Sequence, residues 1–297
     1  MDITSDDQLD ELLSRPPPAL VASFARLDGD LLVLGAGGKM GPSLARMAAR
    51  AGKRVIAASR FSDAALRQRL EGWGVETIAC DLLEPGALAR LPRCPNVVYM
   101  AARKFGSSGA EWETWATNAY LPGEAARVFA GSRIVAFSTG NVYPLWPVDS
   151  EGPDEGAPLG PVGEYAQSCL GRERVLEHFS RRDGTKVVLL RLNYAVELRY
   201  GVLVDLAGRI AAGTPVDLGM GHVNVIWQGD ANAVALQAFE LCASPPAVLN
   251  VSGPVVRVRE LAERLGQLLG RAPQLTGVEQ PTALLSNAAR CRERYGP

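Results

Sequence analysis

Short apolar runs rich in β-branched residues recur along the first two thirds of the chain and predict β-strands. They are LLVLG (31–35), RVIAAS (54–59), VETIAC (75–80), NVVYMA (96–101), RIVAFST (133–139) and KVVLLRLN (186–193). These runs lack the alternation of polar and apolar positions found in a strand that has one side in water. Strands without a polar side are typical of a parallel sheet that helices cover on both faces.

Segments with helical periodicity lie between these runs. They are MGPSLARMAARAG (40–52), AALRQRLEGWG (64–74) and WATNAYLPGEAARVFAG (115–131). Strands that alternate with helices predict an α/β fold with a doubly wound, Rossmann-type parallel sheet. We expect this dinucleotide-binding core to cover residues 30–192.

A different pattern precedes the first strand. In TSDDQLDELLSR (4–15) a hydroxyl residue and acidic residues lead into an apolar stripe, which predicts a capped helix that PPP (16–18) ends. With ALVASFARLDGD (19–30), this predicts a helical N-terminal extension over residues 1–29. Two interpretations stay open: a short helical pair packed on the surface of the chain's own core, or a dimer contact or lid.

Composition and charge narrow the class of partner. The 297 residues are 47% hydrophobic, and the net charge of -1 gives no electrostatic footprint for nucleic acid or an anionic membrane. No apolar run reaches the roughly 18 residues that span a bilayer. The first residues, MDITSDDQLD, are acidic where a secretion signal would be basic. We expect a cytoplasmic protein that binds a small molecule.

The cysteines and histidines do not form a recognisable metal or disulfide pattern. They are Cys80, Cys94, Cys169, Cys242, Cys291, His178 and His222. No two cysteines stand in a CxxC pair, and neither histidine has a partner at metal-ligand spacing. We expect neither a disulfide framework nor a metal site.

A glycine-rich segment follows the first predicted strand. In LVLGAGGKMGPSLA (32–45), Gly35, Gly38 and Gly41 are spaced three residues apart between a strand and a helix. Glycines in this context permit a tight turn and let the backbone approach a pyrophosphate, which the helix N-terminus then binds. The segment therefore predicts dinucleotide binding.

The end of the second predicted strand bears on the choice of dinucleotide. An acidic residue there would bind the ribose 2′-hydroxyl of NAD, but this chain has Ser59 and Arg60. Because a guanidinium pairs with a 2′-phosphate, NADP is favoured over NAD. The alternative is that Arg60 is solvated, or stacks on the adenine of either cofactor. Asp81, just past the third strand, either accepts a hydrogen bond from adenine or simply caps a helix.

These segments together resemble an extended short-chain dehydrogenase/reductase of the NAD-dependent epimerase/dehydratase family. The resemblance runs from about residue 30 onward and is carried by GAGGKMG, CDLLE, YMAAR, TNAYLPGEA, FSTGNVYP, the tyrosine of EYAQSC and VNVIWQGDAN. It implies a nicotinamide dinucleotide cofactor and allows a homodimer through a helix pair that includes the tyrosine helix. The cofactor-binding candidates are Gly35, Gly38, Lys39, Met40, Gly41, Ser59, Arg60, Asp81, Leu82, Ala101 and Ala102.

The resemblance also assigns catalytic candidates. It places the family's hydroxyl residue at Thr139, its tyrosine at Tyr165 and a supporting helix asparagine at Asn118. Sugar-nucleotide dehydratases of this kind carry an acidic pair directly after the hydroxyl residue. Here Gly140 and Asn141 follow, which disfavours dehydration by that route.

The resemblance departs from the family at Cys169, which replaces the lysine four residues after the tyrosine. A phenol has a pKa of about 10, and a lysine about 4 Å away at an effective dielectric near 20 would lower it by about three units. A neutral thiol supplies no such charge. The candidates for compensation are Arg172, the charge of the oxidised nicotinamide, and Arg103 or Lys104. Cys169 itself is interpreted either as small packing or as a reactive thiol.

The last third of the chain is expected to form mostly a small substrate-binding lobe. It covers residues 193–297, with 224–252 returning to the core. The substrate candidates are Arg103, Asn141, Asn193, Tyr194, Arg199 and His222. Two functions remain open: an NAD(P)-dependent oxidoreductase or epimerase acting on a sugar, sugar acid or sugar nucleotide by hydride transfer, or a catalytically weak NADP-binding sensor or scaffold.

Overall fold

Strands and helices alternate along the chain in the computed structural model, which describes residues 3–104 and 109–296. The strands are β1 (Leu31–Leu34), β2 (Val55–Ser59), β3 (Glu76–Ala79), β4 (Asn96–Tyr99), β5 (Arg133–Thr139), β6 (Trp146–Pro147), β7 (Lys186–Leu192), β8 (Ala195–Val196), β9 (Val216–Asp217), β10 (His222–Asn224), β11 (Ile226–Trp227), β12 (Ala247–Val251), β13 (Val255–Arg257), β14 (Leu275–Thr276) and β15 (Thr282–Ala283). The helices are α1 (Asp6–Leu13), α2 (Pro18–Arg26), α3 (Gly41–Arg50), α4 (Ala64–Gly72), α5 (Ala87–Arg90), α6 (Glu111–Trp115), α7 (Leu121–Val128), α8 (Glu164–Asp183), α9 (Val202–Ala212), α10 (Gln228–Gln237), α11 (Val258–Leu269) and α12 (Ala289–Tyr295). A π-helical turn, Ala116–Tyr120, joins α6 to α7.

The main sheet has seven strands in the order β12-β7-β5-β4-β1-β2-β3. In its centre β1 pairs in parallel with both β2 and β4, so that Leu34 lies opposite Ala58 on one side and Tyr99 on the other. The first strand, β1, therefore lies inside the sheet. The chain then adds β2 and β3 towards one edge and crosses to the other side of β1 to add β4, β5, β7 and β12. This confirms the predicted doubly wound sheet, and it places a topological switch point between β1 and β4.

Burial along the strands follows from their apolar sequences. All four residues of β1 are inaccessible to solvent, as expected for a strand covered by helices on both faces. The six predicted strands are all present, but β3 lies at an edge of the sheet and is half-exposed. The pattern did not identify β12, because its polar Asn250 interrupts a short apolar run.

The chain divides into two compact units. The first comprises residues 1–138, 162–190 and 232–248, and its apolar core includes Leu32, Ile56, Val97 and Ile134. The second comprises residues 139–161, 191–231 and 249–297. It contains the short strand pairs β10·β13, β8·β11, β9·β14 and β6·β15, and a smaller apolar core around Leu206, Ile210, Val223 and Val258.

The N-terminal helices pack on the first unit's own surface. Ser5 caps α1 by accepting a hydrogen bond from the backbone N–H of Gln8, and the apolar side chains of Leu9, Leu13, Leu20 and Phe24 are buried. Glu11 accepts hydrogen bonds from Arg50 of α3, which lower the pKa of its carboxyl. The apolar stripe is covered by the chain itself, which favours the interpretation of a surface-packed helical pair.

Within residues 3–104 and 109–296, no helix has the length and apolar character needed to cross a bilayer. In the same part of the chain, no three histidine, cysteine or carboxylate side chains gather as metal ligands. All five cysteines are free thiols.

Candidate cofactor and active site

The glycine loop between β1 and α3 has two glycines that the fold itself requires. Gly35 adopts a φ of 89°, and a Cβ there would lie 2.6 Å from the backbone nitrogen of Ala101. Gly41 is the first residue of α3, and a Cβ there would lie 2.6 Å from the carbonyl carbon of Ala36. These positions bring the loop close to β4 and let α3 begin directly against the loop.

Gly38 differs, because the protein itself leaves room for a side chain at this position. A Cβ on Gly38 would meet only the carbonyl oxygen of Gly35, at an ordinary contact distance of 3.6 Å. The following helix, α3, has no side-chain cap on its first N–H groups. A bare backbone segment beside uncapped helix N–H groups has the form of a pyrophosphate cradle, which a Cβ at residue 38 would partly fill.

The loops that follow β1, β2, β3 and β4 line one cleft of about 820 Å³. Ligands of open parallel sheets bind outside the carboxyl ends of the strands at a switch point, and this cleft has that location. It contains most of the cofactor candidates of the first unit. Those lining it are Gly35, Gly38, Ser59, Arg60, Asp81, Leu82, Ala101 and Ala102.

The remaining three candidates, Lys39, Met40 and Gly41, do not line this cleft. Lys39 is exposed and Met40 is half-buried directly before α3. The like charge of Lys39 contributes to lowering the pKa of Lys104, so the two ammonium groups are near each other.

The side of the cleft after β2 carries an uncompensated cation. Arg60 is exposed and has no hydrogen-bond or ion-pair partner among the residues that the structure describes. Asp63, which also lines the cleft, caps α4 by accepting a hydrogen bond from the N–H of Ala65 at 2.9 Å. At the end of β2 the chain therefore presents a hydroxyl group and a guanidinium rather than a carboxylate.

Asp81 has a structural hydrogen bond of its own. One carboxylate oxygen accepts from the backbone N–H of Leu83 at 3.0 Å, while Leu82 is buried. This bond is the one expected if Asp81 caps its own turn. The residue nevertheless lines the cleft, so both interpretations of it remain.

Part of the cleft wall comes from α6, which the sequence pattern located only in part. The helical periodicity predicts a helix from residue 115, whereas α6 begins at Glu111, and Trp112 and Glu113 line the cleft. Glycine and serine dominate the residues before it, so no apolar stripe marks its start.

Asn118 lies in the π-helical turn, fully buried, and its amide joins two other segments of the first unit. Its Oδ1 accepts from the backbone N–H of Arg103 at 2.8 Å, and its Nδ2 donates to the Arg103 carbonyl at 3.0 Å. The same Nδ2 donates to Ser168 Oγ at 3.0 Å. Asn118 thus ties the segment after β4 to α8, and π-helical turns of this kind are frequent at functional sites.

Tyr165 lies in the first turn of α8 and is half-buried. Its ring faces Lys104, whose Nζ is 5.7 Å from the ring centroid. Cys169, one turn further along α8, is inaccessible to solvent. Burial raises the pKa of its thiol, while Arg172, a hydrogen bond with the Tyr165 side chain and Lys104 oppose that rise. The thiol is therefore the neutral form.

The two arginines proposed to compensate for Cys169 are engaged elsewhere. Arg172 is buried and donates to the Phe137 carbonyl at 2.6 Å and to the Asn118 carbonyl at 3.2 Å. Arg103 pairs with the carboxylate of Glu113. Of the two interpretations of Cys169, its burial and protonation favour packing, because the thiolate is the reactive form.

Thr139 and Asn141 belong to the second unit. Thr139 ends β5, and its Oγ1 accepts from the backbone N–H of Asn141 at 3.2 Å. A Cβ on the intervening Gly140 would lie 2.6 Å from Cγ of Asn193 and 2.7 Å from Oγ of Ser286. An acidic side chain at this position would require the side chains of Asn193 and Ser286 to move.

The other four substrate candidates of the second unit have different surroundings. Asn193 is buried, and its Nδ2 has no hydrogen-bond partner, although its Oδ1 accepts from Ser286. Arg199 pairs with the buried carboxylate of Glu197 at 3.0 Å. His222 lines a separate open hollow. Tyr194 is partly buried, and this burial raises the pKa of its hydroxyl. Asn193 is the candidate that the structure brings near Gly140.

Comparison with known proteins identifies one family. The model of the NAD dependent epimerase/dehydratase family matches residues 31–200. No curated protein matches the chain in sequence.

Solved structures share the fold over nearly the whole chain. Pal from Bacillus thuringiensis has a TM-score of 0.77 at 16% identity, covering 90% of this chain and 92% of that one. UDP-glucose 4-epimerase from Thermotoga maritima, solved with UDP-glucose, has a TM-score of 0.75 at 19% identity, with 89% and 91% covered. A double mutant of the dTDP-glucose 4,6-dehydratase DesIV from Streptomyces venezuelae, solved with NAD and DAU, has a TM-score of 0.75 at 20% identity, with 90% of each chain covered.

Proposed function

Because the chain belongs to the NAD-dependent epimerase/dehydratase family, we propose that it is an NAD(P)-dependent oxidoreductase or epimerase that acts on a sugar, sugar acid or sugar nucleotide. The observation that carries this proposal is the cleft at the switch point, with the open backbone at Gly38 beside the uncapped N-terminus of α3. Structures similar in fold include an epimerase solved with UDP-glucose. This similarity makes sugar nucleotides the first substrates to test.

Different residues of the first unit would contact different parts of the cofactor. The glycine loop and the first N–H groups of α3 would bind the pyrophosphate, and Asp81 with Leu82 would border the adenine. Ala101 and Ala102 would lie beside the nicotinamide ribose. When bound, the nicotinamide would exchange a hydride with a carbon atom of the substrate. The remaining chemistry, which consists of orientation and proton transfer, falls to the side chains.

Tyr165 is proposed as the acid and base that exchanges a proton with the substrate oxygen. Thr139 would orient that oxygen, and Asn118 would act as a positioning residue through its bonds to Arg103 and Ser168. Asn193 is the best-supported substrate contact, because its Nδ2 is an unpaired buried donor. Arg103, Asn141, Tyr194, Arg199 and His222 complete the proposed set of substrate contacts.

Oxidoreduction or epimerisation is favoured over dehydration. An acidic side chain at residue 140 would have to displace the side chains of Asn193 and Ser286, and Asn141 supplies an amide rather than a carboxyl. A homodimer that includes α8 is part of the same proposal. Trp115, which is partly exposed beside α8, is a large apolar side chain that it would cover.

The proposal is tested with a panel of sugar nucleotides, sugar acids and free sugars incubated with NADP(H) or NAD(H). Nicotinamide absorbance reports net oxidation or reduction, and chromatographic separation of the sugars detects an epimerisation without net redox change. We expect conversion of at least one substrate class.

Saturable cofactor binding without conversion of any compound would instead support the second candidate, a cofactor-binding sensor or scaffold. The neutral thiol of Cys169 next to Tyr165 is the observation that favours that candidate.

Arg60 is expected to set the preference for NADP. Replacing Arg60 by alanine should weaken NADP binding by about 10- to 100-fold, because a charge-assisted hydrogen bond contributes about 1.5–3 kcal/mol, and should change NAD binding little. Isothermal titration of both cofactors measures this, with Arg26→Ala in the exposed end of α2 as a matched control. Equal losses for NADP and NAD would instead indicate stacking of Arg60 on the adenine.

A further inference from the structure

The tyrosine of the proposed active site lacks a cation on its own helix one turn away. The residue at that place, Cys169, is buried, and its thiol carries no charge in the neutral form. A tyrosine that shuttles protons near neutral pH needs a positive charge close to its hydroxyl, since a free phenol has a pKa of about 10. The charge must therefore come from another element.

A lysine from the segment after β4 faces this tyrosine. The Nζ atom of Lys104 is 5.7 Å from the centroid of the Tyr165 ring, within the range of a cation–π interaction. Lys104 also lines the proposed cofactor cleft, and its charge acts on the Cys169 thiol as well. The ammonium group thus lies close to both the tyrosine and the position where the family carries its lysine.

We propose that Lys104 is the cationic partner of Tyr165 and supplies, from the segment after β4, the positive charge that Cys169 does not. The catalytic role of this pair rests on the proposed function. The contact between Lys104 and Tyr165 is present whether or not the protein turns over a substrate.

Hydrogen bonds fix the backbone beside Lys104 relative to α8. The side chain of Asn118 accepts a hydrogen bond from the backbone N–H of Arg103 and donates one to its carbonyl. Arg103 directly precedes Lys104. Asn118 also donates to Ser168, whose hydroxyl donates to the carbonyl of Tyr165 at 2.8 Å. The path from Lys104 to Tyr165 therefore passes through short polar contacts between buried side chains. Asn118 acts here as a positioning residue for the lysine.

The two arginines that could replace Lys104 in this role have different partners. Arg172 donates to the carbonyl of Phe137, and its guanidinium carbon lies 5.9 Å from the centroid of Tyr99. Arg103 pairs with Glu113. Burial lowers the pKa of Lys104, and the like charge of nearby Lys39 lowers it further. A phenolate at Tyr165 would oppose both effects and favour the protonated lysine.

The size of the expected effect depends on the separation between the ammonium group and the phenolic oxygen, which carries the negative charge of the phenolate. At a separation of about 6 Å and an effective dielectric near 20, two unit charges interact strongly enough to shift a pKa by about two units, and solvent exposure reduces this. The charged groups that act on Tyr165 or on the Cys169 thiol beside it include Lys104 from the segment after β4, and Arg172 and Glu173 from α8. Loss of Lys104 should therefore raise the pKa of Tyr165 by about one to two units.

The test follows the ionisation of Tyr165 directly, without substrate. Tyrosine labelled with carbon-13 at Cζ gives signals for the seven tyrosines, and the signal that disappears in Tyr165→Phe belongs to Tyr165. The variants are Lys104→Met, Lys104→Met combined with Cys169→Lys, and the control Lys186→Met at an exposed position in β7.

We expect the Tyr165 titration midpoint to rise by about one to two pH units in Lys104→Met and to stay unchanged in Lys186→Met. In the double variant, the lysine introduced one turn from the tyrosine should return the midpoint towards the wild-type value. Thermal unfolding and circular dichroism verify that each variant folds.

An unchanged titration midpoint of Tyr165 in folded Lys104→Met overturns the inference. If NADP affinity also falls tenfold in that variant, Lys104 is a cofactor ligand instead. A shifted midpoint in a protein that converts none of the sugars would uphold the lysine–tyrosine pair and contradict the proposed function. The two failures are thus distinguishable.

Discussion

Replacing Tyr165 by phenylalanine is expected to lower turnover by about 10²- to 10⁴-fold, the range that general acid–base catalysis contributes. The change removes one hydroxyl from a half-buried ring, so the ring packing and the contact with the Lys104 ammonium remain. Cofactor affinity should change less than about twofold, because a group that acts only in the transition state contributes little to ground-state binding. Steady-state kinetics and isothermal titration on the same preparations measure both quantities.

Tyr120→Phe is the matched control for this prediction, because Tyr120 is 62% exposed in the π-helical turn. It removes the same hydroxyl group from a tyrosine that is outside the proposed site. Retention of more than about a tenth of turnover in Tyr165→Phe would exclude this tyrosine as the acid and base.

Alanine at Gly41 is expected to lower stability, whereas alanine at Gly38 is expected to lower cofactor affinity. Gly41→Ala should lower the free energy of unfolding by about 2–3 kcal/mol, because its methyl group would overlap the Ala36 carbonyl and force the loop or α3 to move. Gly38→Ala should leave the free energy of unfolding within about 1 kcal/mol of wild type, since the methyl group has room and the unfolded chain loses entropy. Its cost should appear as a loss of cofactor affinity of about 10- to 100-fold, because a methyl group would separate the backbone from the pyrophosphate.

Each of these two variants is the control for the other. Denaturant unfolding measures stability, and isothermal titration with NADP and NAD measures affinity. Tight cofactor binding by a stable Gly38→Ala protein would show that the pyrophosphate does not contact this part of the loop. A fully stable Gly41→Ala protein would show that the start of α3 adjusts without strain.

Local chain patterns were enough to predict the sheet and to locate the glycine loop. Strands such as β1 are continuous apolar runs, and the glycine spacing lies within seven consecutive residues, so both signals are visible without tertiary information. The limits of the pattern appear at β3, whose run resembled a buried strand although it forms a sheet edge. They appear also at α6, where a glycine- and serine-rich segment precedes the helix.

The candidate active site depended on contacts that sequence spacing does not determine. Arg172 lies seven residues after Tyr165, about two helical turns and 10 Å along the axis, and its guanidinium binds backbone carbonyl groups instead. Lys104 is 61 positions before Tyr165, and only the folded chain brings the two together. Similarly, the bond between Asn118 and Arg103 could not be read from either motif. In the second unit, two-residue strands carry no period that a sequence pattern could reveal.

The burial of Cys169 has a consequence for the chemical durability of the site. Oxidants and alkylating agents attack the thiolate, and they must reach it from solvent. The Cys169 thiol is protonated and has no exposed surface, so the folded protein shields it from both kinds of damage. The Cys169 thiol beside the proposed acid Tyr165 should therefore stay unmodified under oxidative stress for as long as α8 stays folded.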